Sequence, residues 1–85
     1  MALVLLRAPL SELAGAREHD LEGKTVRDVL VALEERRPAI SGWVLDERGV
    51  IRQHINVYVN GQLAQDETTV GATDRVQVLP AITGG

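Results

Sequence analysis

The chain contains no cysteine and no phenylalanine, and its only aromatic residues are Trp43 and Tyr58. Without cysteine there are no disulfides, no thiolate nucleophile and no Cys-based zinc site. With two aromatic residues, a core has to be built from Leu, Val, Ile and Ala. No basic run is longer than Arg36-Arg37, and the formal net charge is −3. A nucleic-acid footprint needs a basic stripe, so nucleic acid is not an expected partner. No apolar run approaches the roughly 18 residues of a membrane span. The opening Met1-Ala2-Leu3-Val4-Leu5-Leu6-Arg7 lacks the basic leader and small-residue cleavage site of a signal peptide. The expected location is the cytoplasm, with no membrane partner.

A chemical site is also hard to assemble. His19 and His54 are the only histidines, and a metal site would need both, with carboxylates from unrelated positions. Each reads better as a structural or surface histidine, so no metal ligand is assigned. Ser11 and Ser41 lack a nucleophile-elbow context. The acidic pairs Glu34-Glu35, Asp46-Glu47 and Asp66-Glu67 are sequence neighbours. On a helix, adjacent residues do not face each other, so all three pairs read as solvated surface. No Gly-rich phosphate loop is present. Trp43 reads as a packing anchor, with a binding surface as the alternative.

What is present is one small domain. At 85 residues it buries only about 60–65% of its unfolded surface, room for one modest core and no deep pocket. Residues 2–6, Ala-Leu-Val-Leu-Leu, form a continuous apolar run, expected as a central strand buried on both faces. Residues 10–24 are mixed, with His19-Asp20-Leu21-Glu22 as a short second strand. Residues 25–36 carry the clearest helix: Thr25 caps it, Asp28 answers as a capping-box partner, and Val26, Val29, Leu30 and Leu33 form one apolar stripe. Arg36-Arg37 suits the negative end of the helix dipole, and Pro38 stops the helix. A connector over residues 39–53 contains an exposed turn at Asp46-Glu47-Arg48-Gly49, and Val50-Ile51-Arg52 is expected to pair briefly with a neighbour. Ile55, Val57 and Val59 then alternate with Asn56, Tyr58 and Asn60, the pattern of a half-buried strand. Asn60-Gly61 is a strong hairpin signal. The last strand, Arg75 to Pro80, sends Val76 and Val78 inward and Gln77 and Leu79 the other way. This order predicts an α+β domain over residues 1–80: a mixed sheet of four to five strands, covered on one face by the helix, with the first and last strands side by side at its centre.

Residues 81–85, Ala-Ile-Thr-Gly-Gly, follow that strand as a flexible tail. One reading is a frayed end, since termini are commonly disordered. The other is a free arm. Pro80 discourages helix and further sheet pairing, Gly84-Gly85 has no Cβ atoms and can thread a narrow channel, Ile82 offers an apolar anchor and Thr83 a hydroxyl.

The strand "INVYVNG" (residues 55–61), the run "RVQVLPAITGG" (residues 75–85) and the β-grasp order of elements resemble the ubiquitin-like sulfur carriers, the MoaD, ThiS and CysO group. The resemblance covers essentially the whole chain and rests on residues 55–61 and 76–85. It implies that the protein is not an enzyme but a cosubstrate. An adenylyltransferase of the ubiquitin-activating, MoeB or ThiF type would bind it and spend ATP to adenylate the Gly85 carboxylate. A persulfide donor or sulfide would then displace AMP, leaving a thiocarboxylate whose sulfur passes to an accepting synthase. The carrier itself binds no cofactor. Carried over by position, Gly85 holds the sulfur and Gly84 gives the slim approach, while Leu79, Pro80, Ala81 and Ile82 line the partner's groove with Thr83. Tyr58 and Leu79 would share the face left open by the helix, as a partner-recruiting patch; alternatively Tyr58 only covers sheet surface. The connector and the "LPAITGG" end look most like the cysteine-synthesis carrier, and molybdopterin or thiosugar pathways are other destinations. Because the sequence stops at Gly85, no proteolytic maturation is expected, and the lone protein is expected to be a monomer. A ubiquitin-like modifier joined to lysines through Gly85 is the alternative; Lys24, the only lysine, leaves one site for self-conjugation. A third reading is a plain interaction module.

Overall fold

A computed structural model describes residues 1–80. The chain runs β1 (Ala2–Leu6), α1 (Leu10–Ala14), β2 (Glu18–Leu21), α2 (Val26–Arg36), a 3-10 turn (Pro38–Ile40), β3 (Ile55–Val59), β4 (Gln62–Leu63) and β5 (Arg75–Pro80). The five strands form one sheet in the order β2-β1-β5-β3-β4. β1 and β5 lie side by side in parallel, with Val4 opposite Val76 and Leu6 opposite Val78. β2 and β3 pair antiparallel on their far sides. The expected β-grasp arrangement is thus present, with the first and last strands central.

The core lies between one sheet face and α2. Val26, Val29, Leu30 and Leu33 are fully buried, as are Val4, Val57, Val76 and Val78, with Leu6 nearly so. Burial of each such side chain stabilises the fold by about 1.5–3 kcal/mol, which offsets the entropy of ordering so short a chain. Thr25 caps α2, its Oγ1 accepting the Asp28 N–H at 3.2 Å. The expected capping box is shifted by one residue: the Asp28 carboxylate accepts from the Lys24 N–H at 3.3 Å, not from Thr25. Gly23 makes this approach possible, because a Cβ there would stand 2.8 Å from the backbone N of Val29.

Two expectations are corrected and one unassigned segment gains a structure. Residues 2–6 are not buried on both faces; Ala2, Val4 and Leu6 are buried while Leu3 and Leu5 are half-buried on the face away from α2. Residues 10–14, unassigned from the sequence, form a one-turn helix that buries Leu10 and Ala14 and ends on Gly15 in the left-handed region. Five residues are too few for a periodic signal, so packing decides this element. Trp43 is not a packing anchor: it is 47% exposed. Its neighbours Val44 and Leu45 turn inward, because their N–H groups both donate to Glu34 Oε2 at 3.0 Å.

That bond also corrects the reading of the acidic pairs. One member of each organises a loop. Glu34 pins the connector to α2. Asp46 accepts from the N–H groups of Arg48 and Val50 at 2.9 and 3.0 Å. Asp66 accepts from the Ile51 N–H at 3.0 Å and stands 3.8 Å from Arg27. Glu35, Glu47 and Glu67 are the exposed partners. The expected pairing of residues 50–52 is present as a single Leu45–Ile51 bridge.

Candidate functional site

β5 is the strand that leads to the Gly-Gly end, and its surroundings define the site. β1 stops pairing with it at Val78. Leu79 and Pro80 continue two residues further, paired only with Asn56 and Ile55 of β3. Pro80 has no N–H to give a neighbour, so the side vacated by β1 suits it. Beside this overhang lies a small cleft of about 70 Å³, lined by Leu5, Leu6, Arg7, Arg17, Glu18, Gln77 and Leu79. The chain thus leaves from the middle of the sheet, not from an edge.

Two of the expected site residues meet on the open face. Tyr58 stands opposite Gln77, and Leu79 opposite Asn56. They are diagonal cross-strand neighbours, a spacing within reach of an aromatic ring. Both are half-buried. Register places Leu3 and Leu5 of β1 and Leu63 of β4 on the same face, Leu63 directly opposite Tyr58 and 68% exposed. These three leucines escaped the sequence reading. The available signal was the unbroken apolar run of residues 2–6: in a strand covered on one side only, its outward members have to surface somewhere. Ala81, Ile82, Thr83, Gly84 and Gly85 lie outside the described residues.

The histidines do not converge. His19 is buried on the core face, its Nε2 3.0 Å from the Ala16 carbonyl oxygen, while His54 is exposed. Among the described residues, no group of three or more His, Cys, Asp or Glu side chains is placed to hold a metal ion, and no helix is long and apolar enough to cross a membrane. A wide depression of about 690 Å³ opens between Met1, Asp20, Glu22, Glu35 and Arg36, at the opposite end of β1 from the overhang. The site's chemistry is that of a surface: an apolar sheet face running toward a strand end.

Comparison with known proteins agrees with this picture. The chain is 37% identical over 83 residues to small archaeal modifier protein 1 of Haloferax volcanii, spanning 94% of this chain and 95% of that one. The solution structure of small archaeal modifier protein 1 from Methanosarcina acetivorans superposes with a TM-score of 0.88 at 32% identity, covering 99% of this chain and 95% of that one. A chain of the Amycolatopsis orientalis BexX/CysO complex superposes with a TM-score of 0.87 at 27% identity, covering all of both chains. These relatives are small ubiquitin-like carrier and modifier proteins, not enzymes. The model of the ThiS family matches residues 4–85, and the chain belongs to that ubiquitin-like family.

Proposed function

We propose that the protein is a sulfur carrier whose reactive group is the carboxyl of Gly85. A carboxylate oxygen is a poor leaving group, so an activating enzyme of the ubiquitin-activating type first joins it to AMP, consuming ATP and releasing pyrophosphate. Sulfide then attacks the acyl carbon and expels AMP, giving a thiocarboxylate; a persulfide donor expels AMP in the same way but leaves an acyl disulfide, which a second thiol of the donor cleaves, releasing the thiocarboxylate and forming a disulfide on the donor. An accepting synthase of a biosynthetic pathway, with the cysteine-synthesis type as the first candidate, takes that sulfur. Gly84 keeps the approach slim, and Ala81, Ile82 and Thr83 line the partner's channel. Tyr58, Leu79 and Pro80 form the surface on which both enzymes dock.

The observation that carries this reading is the apolar open face at the overhang of β5, two residues beyond the last pairing with β1. It is a docking surface that leads directly into the Gly-Gly segment. The likeness to a chain of a BexX/CysO complex supports an enzyme partner. The likeness to small archaeal modifier proteins favours a second reading, in which the activated Gly85 acyl group passes to a lysine amine of another protein, forming an amide and releasing AMP. Both share the activation step and part company at the nucleophile.

Intact-mass analysis after incubation with ATP, the host's activating enzyme and sulfide separates them. The carrier reading expects the mass gain of one oxygen exchanged for one sulfur, abolished when Gly85 is deleted, with the fold unchanged by circular dichroism. Conjugates that survive reduction, with no sulfur gain, select the modifier. A tail that no activating enzyme of the host adenylates rules out both.

A further inference from the structure

The strand order places cations around the point where β5 runs out. Arg7 directly follows β1, and Arg17 directly precedes β2, its carbonyl accepting the Leu6 N–H at 2.8 Å. On the other side of β5, the Arg52 carbonyl accepts the N–H of Ile55, the residue that faces Pro80. Arg7 just after β1, Arg17 just before β2 and Arg52 in the connector leading into β3 therefore stand at the same end of the sheet. Arg52 is held there by its Nε donating to the Gly42 carbonyl at 2.6 Å, beside exposed Trp43. The only ion pairs among the described residues are Arg27–Asp66 and Arg48–Asp46, so these three arginines have no carboxylate partner there. Glu12 and Glu18 are the carboxylates carried by residues 7–18; Glu18 shares the cleft with Arg7 and Arg17, which stays net positive in a chain of net charge −3, while Arg52 lines two neighbouring depressions, one with Asp46 and one with Asp66.

We propose that Arg7, Arg17 and Arg52 form a cationic collar that recognises carboxylates around the mouth of the enzyme that receives the tail. The proposal rests on the activation reading above and adds the chemistry of the partner's rim. Five residues separate Pro80 from the end of Gly85, up to about 18 Å of extended chain. The collar therefore meets the rim while the reacting carboxyl lies inside. It acts on encounter, where complementary charge raises association rates 10- to 1000-fold and is weakened by salt.

Two measurements test it. In pyrophosphate release by the host's activating enzyme, R7E/R17E should lower kcat/KM about tenfold at low salt, leave kcat unchanged and converge on the wild type at high salt. K24E/R75E, the same charge change at the opposite end of the sheet, should do neither. Equal effects of the two variants, or no effect of either, overturn the collar. Independently of activation, NMR titration of the wild type with hexaglutamate should shift the amides of Arg7, Arg17 and Arg52 first. Shifts centred on Lys24, Arg36 or Arg75, no shifts at all, or tighter binding of ATP than of hexaglutamate at the collar would reject it. If no enzyme adenylates the wild type, the activation reading fails while the peptide titration still decides the collar.

Discussion

Asn60 holds a φ of 51° in the β3–β4 turn and ties that turn to β5. Its Nδ2 donates to Asp74 Oδ1, and its Oδ1 accepts the Arg75 N–H, both at 2.9 Å. Asn is among the few side chains that tolerate this backbone region, where other L-residues lose about 1–2 kcal/mol. Asn60→Ala should therefore be less stable than Asn60→Gly by about 1 kcal/mol in urea unfolding, although both lose the same side-chain bonds. Two carboxylates held by backbone N–H groups are expected to contribute acid sensitivity. Asp46 lies below its ordinary value of 3.8, chiefly through the Val50 N–H. Asp74 is lowered too, chiefly by the Gly71 N–H and then by Asn60. A depressed carboxyl in the folded state stabilises the fold above the unfolded value and stops doing so as pH falls through the folded value. Stability followed by thermal melts should hold at neutral pH and decline below about pH 3.8, and in Asp74→Asn the decline should be shallower.

At the scale of elements, the connector between α2 and β3 depends on side chains outside it. Glu34 satisfies two of its N–H groups, Val44 and Leu45, which are themselves buried. Glu34→Ala leaves both donors without that partner and should cost about 1–3 kcal/mol. Hydrogen exchange should speed up at the amides of Val44 and Leu45 before it does in β1 or β5. The same arrangement accounts for Trp43. Acrylamide should quench its fluorescence efficiently in the folded protein, and Trp43→Ala should change stability far less than Glu34→Ala. An emission spectrum of a buried indole would contradict this.

Over the whole molecule, the sheet separates stability from recognition by its two faces. Val57 and Tyr58 are adjacent in the chain and point opposite ways, Val57 into the core at 1% exposure. Val57→Ala removes buried methyl groups and should destabilise by about 2 kcal/mol. Tyr58→Ala should leave the melting temperature closer to the wild type yet raise the KM of the activating enzyme for this protein. Leu79→Ala should follow Tyr58→Ala, because the two are diagonal neighbours across β3 and β5. A variant pair with the opposite assignment of effects would place the docking surface elsewhere.

Local pattern was enough for β1, α2, β3 and β5: alternation and the helical stripe depend on neighbours two to four residues apart, and Asn60-Gly61 requires a hairpin whatever surrounds it. The central, adjacent placement of the chain's first and last strands followed from their apolar character, while their parallel direction came from the fold. Local pattern could not reveal which of two apolar sets would be covered. Leu3 and Leu5 look no different from Val4 and Leu6 until α2 takes one side of the sheet. Nor could adjacency show that Glu34, Asp46 and Asp66 serve loops while Glu35, Glu47 and Glu67 face solvent, since their amide partners lie up to 15 residues away. Arg7, Arg17 and Arg52 are scattered in sequence and share one end of the sheet only because the order β2-β1-β5-β3 brings the end of β1, the start of β2 and the approach to β3 together around the end of β5. Sequence determined β1, α2, β3, β5 and the Gly-Gly pair beyond β5; tertiary pairing decided which side chains surround the strand that leads to it.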